Sequence, residues 1–460
     1  MKKTLLLSIL FLCASVTAQT FDVTTITQSG SNDSRINVVI LSDGYQSTEL
    51  NQFITDATNF SNALFAETPY KEYKNYFNVH AIKVPSNESG AKHPRTASDE
   101  ATSNNQPAAT IDNYFESTFD AYDVHRLLVA NNAKVNTVLA NNFPNYDIVL
   151  VLVNSPYYGG SGGEIAVASL HASANQIAIH ELGHSFANLI DEYYPGDIYV
   201  REGINMTQET NPTNVKWKNW MNLNGVGIYP HGTSGTAASW YKPHQNCKME
   251  SLNSPFCSVC TEGTIEQIHS LTSVIENYSP QNTGSIDLST PIDFTINTIN
   301  PLPNTLDISW TLNGTVINSE DYTVSISKED LTSGNNQLLA TIEDKTTLLK
   351  VDNHETVHFS TTLWNINSST LSIDDISTNN FDIKLFPNPT QDILYFDVTN
   401  NNEDYNVFIS DISGKQLIQK KMNNVGENQN IRIGALHSGV YFINFTFANG
   451  LHISKKIIKE

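Results

Sequence analysis

Over its first 270 residues the chain alternates short apolar runs with stripes of helical period. "RINVVIL" at 35–41 is continuous and β-branched, the pattern of a buried strand. In "SDGYQSTELNQFITDATNFSNALF", Leu50, Phe53, Ile54, Ala57 and Phe60 recur on one stripe, which predicts a helix capped by Ser47 or Thr48. "FNVHAIKV" (77–84) and "YDIVLVLV" (146–153) predict two further strands, and residues 123–141 a helix. The polar stretch 85–110 between them reads as a surface loop. "NSPYYGGSGGEIAVAS" reads as a turn-rich loop and a short strand, followed by a helix from about Ser173. Alternating strands and helices predict an α/β (α+β) layered domain over 19–278.

The pattern changes near residue 280. "ENYSPQNTGSIDLSTP" is polar and turn-forming and reads as a linker. Residues 285–370 then carry short alternating strands such as "TLDISWTLNG", "YTVSIS" and "TTLLKV", at the spacing of an Ig-like β-sandwich. A second polar stretch, "NINSSTLSIDDISTNNFD", leads to a strand-rich block over 384–460 that predicts a small C-terminal β-sandwich. Pro387 and Pro389 punctuate its entry, and Gly414 marks a hairpin turn. The expected fold class is multidomain, one α/β domain followed by two β-sandwiches.

The first residues, "MKKTLLLSILFLCASVTAQT", combine Lys2 and Lys3, an apolar run from Leu5 to Leu12, and the small-residue site Val16-Thr17-Ala18. This predicts a signal peptide over 1–18 and a mature chain from Gln19. The run falls short of the roughly 18 apolar residues needed to span a bilayer, and no later run is longer, so no stable membrane span is expected. A net charge of −21 disfavours nucleic acid and anionic membrane as partners, because both need basic surface. Residues 384–460 carry 8 Lys+Arg and 7 Asp+Glu, so the acidic excess, net −22, belongs to the upstream domains. Cleavage leaves Cys247, Cys257 and Cys260, an odd number in an oxidising compartment. One disulfide and one leftover thiol is the leading expectation. The alternative is a four-ligand structural metal site with His244 as fourth ligand.

The candidate chemistry lies in "IAIHELGHSFANLIDEYY", 177–194. HExxH places His180 and His184 one helical turn apart on one face, where both imidazoles can hold one catalytic Zn²⁺. Glu181 can then act as general base on the water that zinc acidifies. Apolar Ile177, Ala178 and Ile179 lead the helix into a core, and Gly183 leaves room beside the metal-bearing face. The third ligand is the sharper question. Eleven residues on a straight helix rise about 16 Å, too far to share one ion, so the helix must end after His184 and the chain fold back. Asn188 can take the left-handed conformation this requires. Asp191 is preferred because a short side chain fixes geometry tightly. Glu192 is the alternate, and the remaining carboxylate would orient an imidazole. Gly159, Gly160, Gly162 and Gly163 allow close backbone approach, and Glu164 to Ser169 is expected as an edge strand that pairs with an extended peptide. Tyr193, Tyr194 and Tyr241 are candidate oxyanion donors. Asp43 follows a strand and either joins the site or caps the next helix. No feature supports a Ca²⁺ site.

These residues also carry a resemblance. "HELGHSFANLIDEYY", with "LSDGY", "VPSNESGA", "YYGGSGGEIAVAS" and "CKMESLNSPFCSVC", resembles the IgA peptidase family of zinc metallopeptidases from about Asn37 to Thr272. The resemblance implies a metzincin-like fold and hydrolysis of a host or environmental protein or peptide. It also makes Met249 the candidate for a methionine turn beneath the zinc. Two departures from the metzincin pattern bear on the third ligand: there is no third histidine at the usual spacing, and Ala187 stands where a turn glycine is usual. "LFPNPTQDILYFDV", "VFISDISGKQL" and "LHSGVYFINFTFANGLHISKKIIKE" resemble the type A C-terminal sorting domain of type IX secretion. That implies a Bacteroidetes-type bacterium, engagement of the type IX secretion machinery, and a secreted or cell-surface protein whose sorting domain is removed after export. The competing expectation is a catalytically inactive surface adhesin or glycan/protein-binding module on the same fold. A binding protein, however, has no need of the glutamate in HExxH.

Overall fold

The computed structural model describes residues 20–460 apart from 101–104, 195–199, 289, 353, 355–357, 369–382, 400–403, 413, 424–428 and 448–451. The expected signal peptide and most of the second polar stretch lie outside the described residues. The chain forms two compact units that divide after Ser368. It mixes α and β, with many strands and few helices.

The first unit opens with strands β1 (Asp22–Thr27), β2 (Ile36–Asp43), β3 (Phe77–Lys83), β4 (Ile148–Val153), β5 (Gly160–Ser161) and β6 (Ala166–Ala168). Its four described α-helices are α1 (Leu50–Leu64), α2 (Asn132–Asn142), α3 (Ala174–Ser185) and α4 (Ser258–Leu271). The strands form one sheet in the order β1-β3-β2-β4-β6-β5. The inner four run parallel, and β1 and β5 pair antiparallel at the ends. Every residue of β2 is buried, as the unbroken apolar run requires for a strand covered on both faces. Val38 and Ile40 pack with Phe53, Ala57 and Phe60 of α1 and with Ala178, Ile179 and Leu182 of α3. Val39 and Leu41 face the opposite layer with Val135, Val138 and Leu139 of α2. Helix, sheet and helix therefore make three layers.

Several boundaries differ from the sequence pattern. Neither Ser47 nor Thr48 caps α1; the position belongs to Glu49, whose carboxylate instead accepts from Gln46 N at 2.7 Å. α2 begins only after Asn131, whose Oδ1 accepts from Ala133 N and Lys134 N. The residues before it are held extended, Val129 bridging Thr118 and Leu127 bridging Gly160. The stretch 85–110 is not simply a surface loop: Ser86, Ala91, His93 and Gln106 are buried. Asp43 is the reason at one end. Fully buried at the end of β2, it accepts from Phe115 N (2.9 Å), Ser117 N (3.2 Å) and Ser86 Oγ (3.2 Å), so it ties the loop to the sheet rather than capping α1.

A β-sandwich completes the first unit. A five-stranded sheet takes Ser285–Asp287, Phe359–Ser368, Gly334–Asp344, Leu306–Leu312 and Thr315–Ile317 in that spatial order. A three-stranded sheet takes Thr323–Ile326, Ile292–Thr298 and Ile275–Ser279. The segment read as a linker thus supplies a strand to each sheet. Its residues are mostly exposed or half-buried, so no apolar alternation marked it. Trp310 and Trp364 stack at 5.9 Å in the core. Asp344, also fully buried, bonds across to the α/β layers: it accepts from Tyr73 Oη (2.5 Å) and meets His269 Nε2 of α4 (3.2 Å), while Thr305 Oγ1 donates at 2.6 Å. Burial alone would raise its carboxyl, but the bonds from His269, Thr305 and Tyr73 outweigh that and hold it below 3.8.

The second unit is a sandwich of Ile383–Phe386, Ile393–Val398 and Gln429–Arg432 against Gln416–Met422, Tyr405–Ser410, Gly439–Phe447 and His452–Lys459. Phe396 and Phe445 meet edge to face at 5.2 Å in its core. Gly414 takes φ +80° in the hairpin after Ser410, and its N–H donates to Asp411 O at 3.0 Å.

Asp344→Ala leaves a phenol, a hydroxyl and an imidazole facing a gap. We expect it to lower unfolding stability by about 3 kcal/mol, read from the denaturant midpoint followed by tryptophan fluorescence. A carboxyl depressed in the folded state stabilises it fully above the unfolded pKa and loses that contribution as pH falls through the folded value. The deficit of the variant should therefore shrink below pH 3.8. A midpoint unchanged at neutral pH would contradict the assignment.

Candidate metal centre

Helix α3 enters the core through Ile177, Ala178 and Ile179 and carries His180 and His184 on one face, their rings 4.9 Å apart. The regular helix ends at Ser185. Asn188 then adopts φ +52°, and the chain turns back, with Asn188 N donating to His184 O (3.1 Å) and Leu189 N to Gly183 O (3.0 Å). The return brings Asp191 Oδ1 to 3.1 Å from His180 Nε2 and 3.2 Å from His184 Nε2. Donor atoms at 2.0–2.1 Å from a tetrahedral zinc lie about 3.3–3.4 Å apart, so this set of two nitrogens and one oxygen fits that ion.

The other ring nitrogens fix the tautomers. His180 Nδ1 lies 2.9 Å from Lys248 O and His184 Nδ1 2.7 Å from Leu189 O. A carbonyl only accepts, so each Nδ1 carries a proton, and each Nε2, the atom that faces Asp191, is the one that would bind an ion in place of its own proton. Burial pushes Asp191 up, yet the bonds from His180 and His184 prevail and hold it well below the carboxylate range. Burial lowers His184, but Asp191 outweighs this and raises it to about 9. Glu181 is buried beside both rings, and burial raises its carboxyl, offset in part by His180 and His184.

The glycine loop lies directly against this helix face. A Cβ at Gly162 would sit 2.7 Å from Glu181 Oε2 and 3.0 Å from His184 Cδ2, and one at Gly160 2.5 Å from Ile177 Cγ2. Gly163 (φ +127°) and Glu164 are exposed at the lip. The strand expected from Glu164 to Ser169 is not an edge: β6 lies between β4 and β5, because the glycines fold back and add β5 outside it. The outer side of β5 is in turn bridged by Arg126 and Leu128, which exchange backbone bonds with Gly160 at 3.3 Å.

A cleft of about 190 Å³ opens over His180 and Glu181, lined among others by Arg126, Tyr158, Gly160 and Tyr193. Tyr193 stacks 6.3 Å from the His180 ring, and its Oη accepts from Arg126 Nη2 at 3.2 Å. Tyr194 packs on His231 and Tyr241 pairs with Thr207, and neither lines the cleft. Met249 is buried beneath the helix, where a Cβ at Gly183 would meet its Sδ at 2.8 Å.

Glu192 turns away from the imidazoles. Fully buried, its Oε1 accepts from Asn205 Nδ2 (2.9 Å) and lies 3.2 Å from Cys260 Sγ, beside Cys247 and Cys257. The three thiols are free rather than bridged, with Cys247 and Cys260 sulfurs 3.6 Å apart. His244 is not their fourth neighbour; its ring bonds Asn224 O and Asn246 N, and Glu192 takes that place. Sequence reasoning missed Arg126, Lys248 and Asn205. Asn205 clamps the turn from both sides, its Oδ1 accepting from Ile190 N and its Nδ2 donating to Ile190 O, each at 2.8 Å. Lys248 adjoins Met249 and was findable from that neighbour; Arg126 and Asn205 stand in stretches without pattern.

Residues 24–227 match the IgA Peptidase M64 family, and residues 384–460 match the secretion system C-terminal sorting domain. The latter assigns the protein to type IX secretion, to the cell surface or extracellular space. No curated protein matches the chain. Among solved structures it is similar to dimeric latent PorU from Porphyromonas gingivalis, at 17% identity over 40% of this chain and 20% of that one, TM-score 0.17. It is also similar to OgpA from Akkermansia muciniphila, at 10% identity over 97% and 95% of the two chains, TM-score 0.21. The chain thus spans a fifth of the PorU length, and at such TM-scores neither likeness bears on function.

The contact between Gly183 and Met249 makes a specific coupling. Gly183→Ala should cost about 1–3 kcal/mol by overpacking, and Met249→Ala about 2–5 kcal/mol by leaving a cavity. The double variant should lose clearly less than the sum, because the cavity accepts the new methyl. Additive losses in denaturant midpoints would show that Met249 does not press on this turn of the helix.

Proposed function

We propose, for a chain that carries an IgA Peptidase M64 domain and a secretion system C-terminal sorting domain, that it is a secreted zinc endopeptidase acting on extracellular proteins. His180, His184 and Asp191 would hold the ion, and Glu181 would be the general base. The observation that carries this reading is the approach of Asp191 Oδ1 to 3.1 Å from His180 Nε2 and 3.2 Å from His184 Nε2, with both Nδ1 atoms committed to carbonyls. Zinc held there would supply Lewis acidity for a water and for the scissile carbonyl. Glu181, raised by burial, takes the proton of the attacking water and returns it to the leaving amine. Tyr193, backed by Arg126, faces the cleft as the donor to the developing oxyanion.

The surrounding parts serve this centre. Gly160 and Gly162 let the loop lie against Glu181 without a side chain between them, and Gly163 and Glu164 offer an exposed lip for substrate. Met249 supports the ligand helix from below, as a methionine turn does in a metzincin-like domain over 19–278. The Ig-like sandwich over 285–370 docks on that domain through Asp344. A signal peptide over 1–18 and the sorting domain over 384–460 direct export through the type IX secretion machinery.

Glu181→Gln should lower hydrolysis of a quenched-fluorescence peptide library by about 10²–10⁴ while zinc content stays unchanged. Retained activity in that variant would remove Glu181 from the mechanism. Tyr193→Phe should lower kcat by roughly 10–10³ with a smaller change in KM, as for loss of one oxyanion donor. A pure KM effect would instead make Tyr193 a binding residue.

A further inference from the structure

A second cluster of metal-ligating side chains joins His93 and Glu100, from the stretch read as surface loop, to Asp120 and His125 beyond it. His93 Nε2 is 3.2 Å from Glu100 Oε2 and 3.5 Å from Asp120 Oδ1. His125 Nδ1 is 2.9 Å and 3.1 Å from the same two oxygens. Nitrogens and oxygens therefore alternate around a ring whose edges bracket the about 3.3–3.4 Å expected between ligands of a tetrahedral zinc. The side chains of His93 and Asp120 are fully buried, and those of Glu100 and His125 partly so.

The arrangement of the ring nitrogens suits a metal. His93 Nδ1 lies 2.8 Å from Pro107 O and is committed to that carbonyl, so Nε2 is the atom left to face the two carboxylates. Arg95 Nη2 meets the other oxygen of Glu100 at 3.3 Å, so Glu100 Oε2 and Asp120 Oδ1 are the oxygens that face the two imidazoles. Two imidazole nitrogens and two carboxylate oxygens turned on one point are the donor set that one divalent cation would bind. Asp120 Oδ2 is separately engaged by Thr96 N at 2.8 Å, which leaves Oδ1 aimed into the cluster. The backbone here is strained as well: Asp120, Tyr122 and Asp123, none of them glycine, take φ +64°, +51° and +66°. Such a run persists only where its surroundings over-determine it.

We propose that His93, Glu100, Asp120 and His125 form a second metal site, separate from the HExxH centre, that takes a zinc-type divalent cation in a structural role. Two imidazoles favour zinc over the harder calcium and magnesium, and four protein ligands leave no open position for chemistry. The site pins the chain at His125, one residue before Arg126. Arg126 O then accepts from Gly160 N, and its guanidinium reaches Tyr193 at the cleft. The metal assignment stands without the peptidase reading. The role of the site in positioning Arg126 rests on that reading.

The test counts zinc by mass spectrometry in the full chain after saturation and desalting, in two backgrounds: the unaltered protein and His180→Ala/His184→Ala. Adding His93→Ala/His125→Ala should remove one zinc equivalent per chain in both. Any metal held by the cysteines cancels in the difference. An unchanged count in both backgrounds overturns the site. Because the double variant risks misfolding, Asp120→Asn, which keeps the side-chain shape, is measured beside it. Its zinc affinity for one equivalent should fall at least tenfold with the far-UV spectrum unchanged, and an undiminished affinity overturns the site equally. In His125→Ala that has lost this equivalent but kept the other, kcat/KM should fall at least tenfold. An unaltered kcat/KM there overturns the positioning role of the site while leaving the HExxH reading standing.

Discussion

The site depends on a reversal of the chain between His184 and Asp191. A straight helix would carry the carboxylate about 16 Å past the first imidazole, so the centre exists only because the helix stops. Three features hold that stop. Asn188 accepts the left-handed conformation, His184 Nδ1 captures Leu189 O, and the Asn205 amide takes both backbone groups of Ile190. The turn that places the third donor is therefore bonded to the second donor's own ring. Ordering the reversal also fixes the tautomer of His184.

The same device recurs across the first unit. Asp43 ties the loop after β3 to the end of β2, Asp344 ties the sandwich to α4 and to the segment before β3, and Glu192 anchors the return segment among the cysteines. Each is a buried polar group bonded to backbone or to side chains far away in sequence. Such groups are costly if left unpaired, so each fixes one arrangement of an otherwise irregular segment. The catalytic-side loops are long and poor in regular structure, and buried polar bonds take over the work of strands and helices there.

This also explains what was legible beforehand. The strands β2, β3 and β4, the ligand helix and its end near Asn188 follow from period and from the few residues that tolerate left-handed backbone. The C-terminal sandwich was likewise written in its alternation. The burial within 85–110 was not legible, because Ser86, His93 and Gln106 are polar residues whose burial leaves no periodic trace. The sandwich strands at 275–279 and 285–287 were hidden because their faces are mostly exposed. Arg126 and Asn205 act through contacts with partners distant in sequence, and no local pattern announces such a role. The edge position of β5, and with it the interior place of β6, depended on glycines folding back, where their pattern alone pointed only to close backbone approach.

The central claim is that His180 Nε2, His184 Nε2 and Asp191 Oδ1 share one ion. Anomalous diffraction from crystals of the zinc-loaded chain, recorded on both sides of the zinc absorption edge, tests it most directly. The account predicts an edge-dependent peak bonded to those three atoms. A map with no peak there, or with Asp191 turned away and another group closing the sphere, would contradict it.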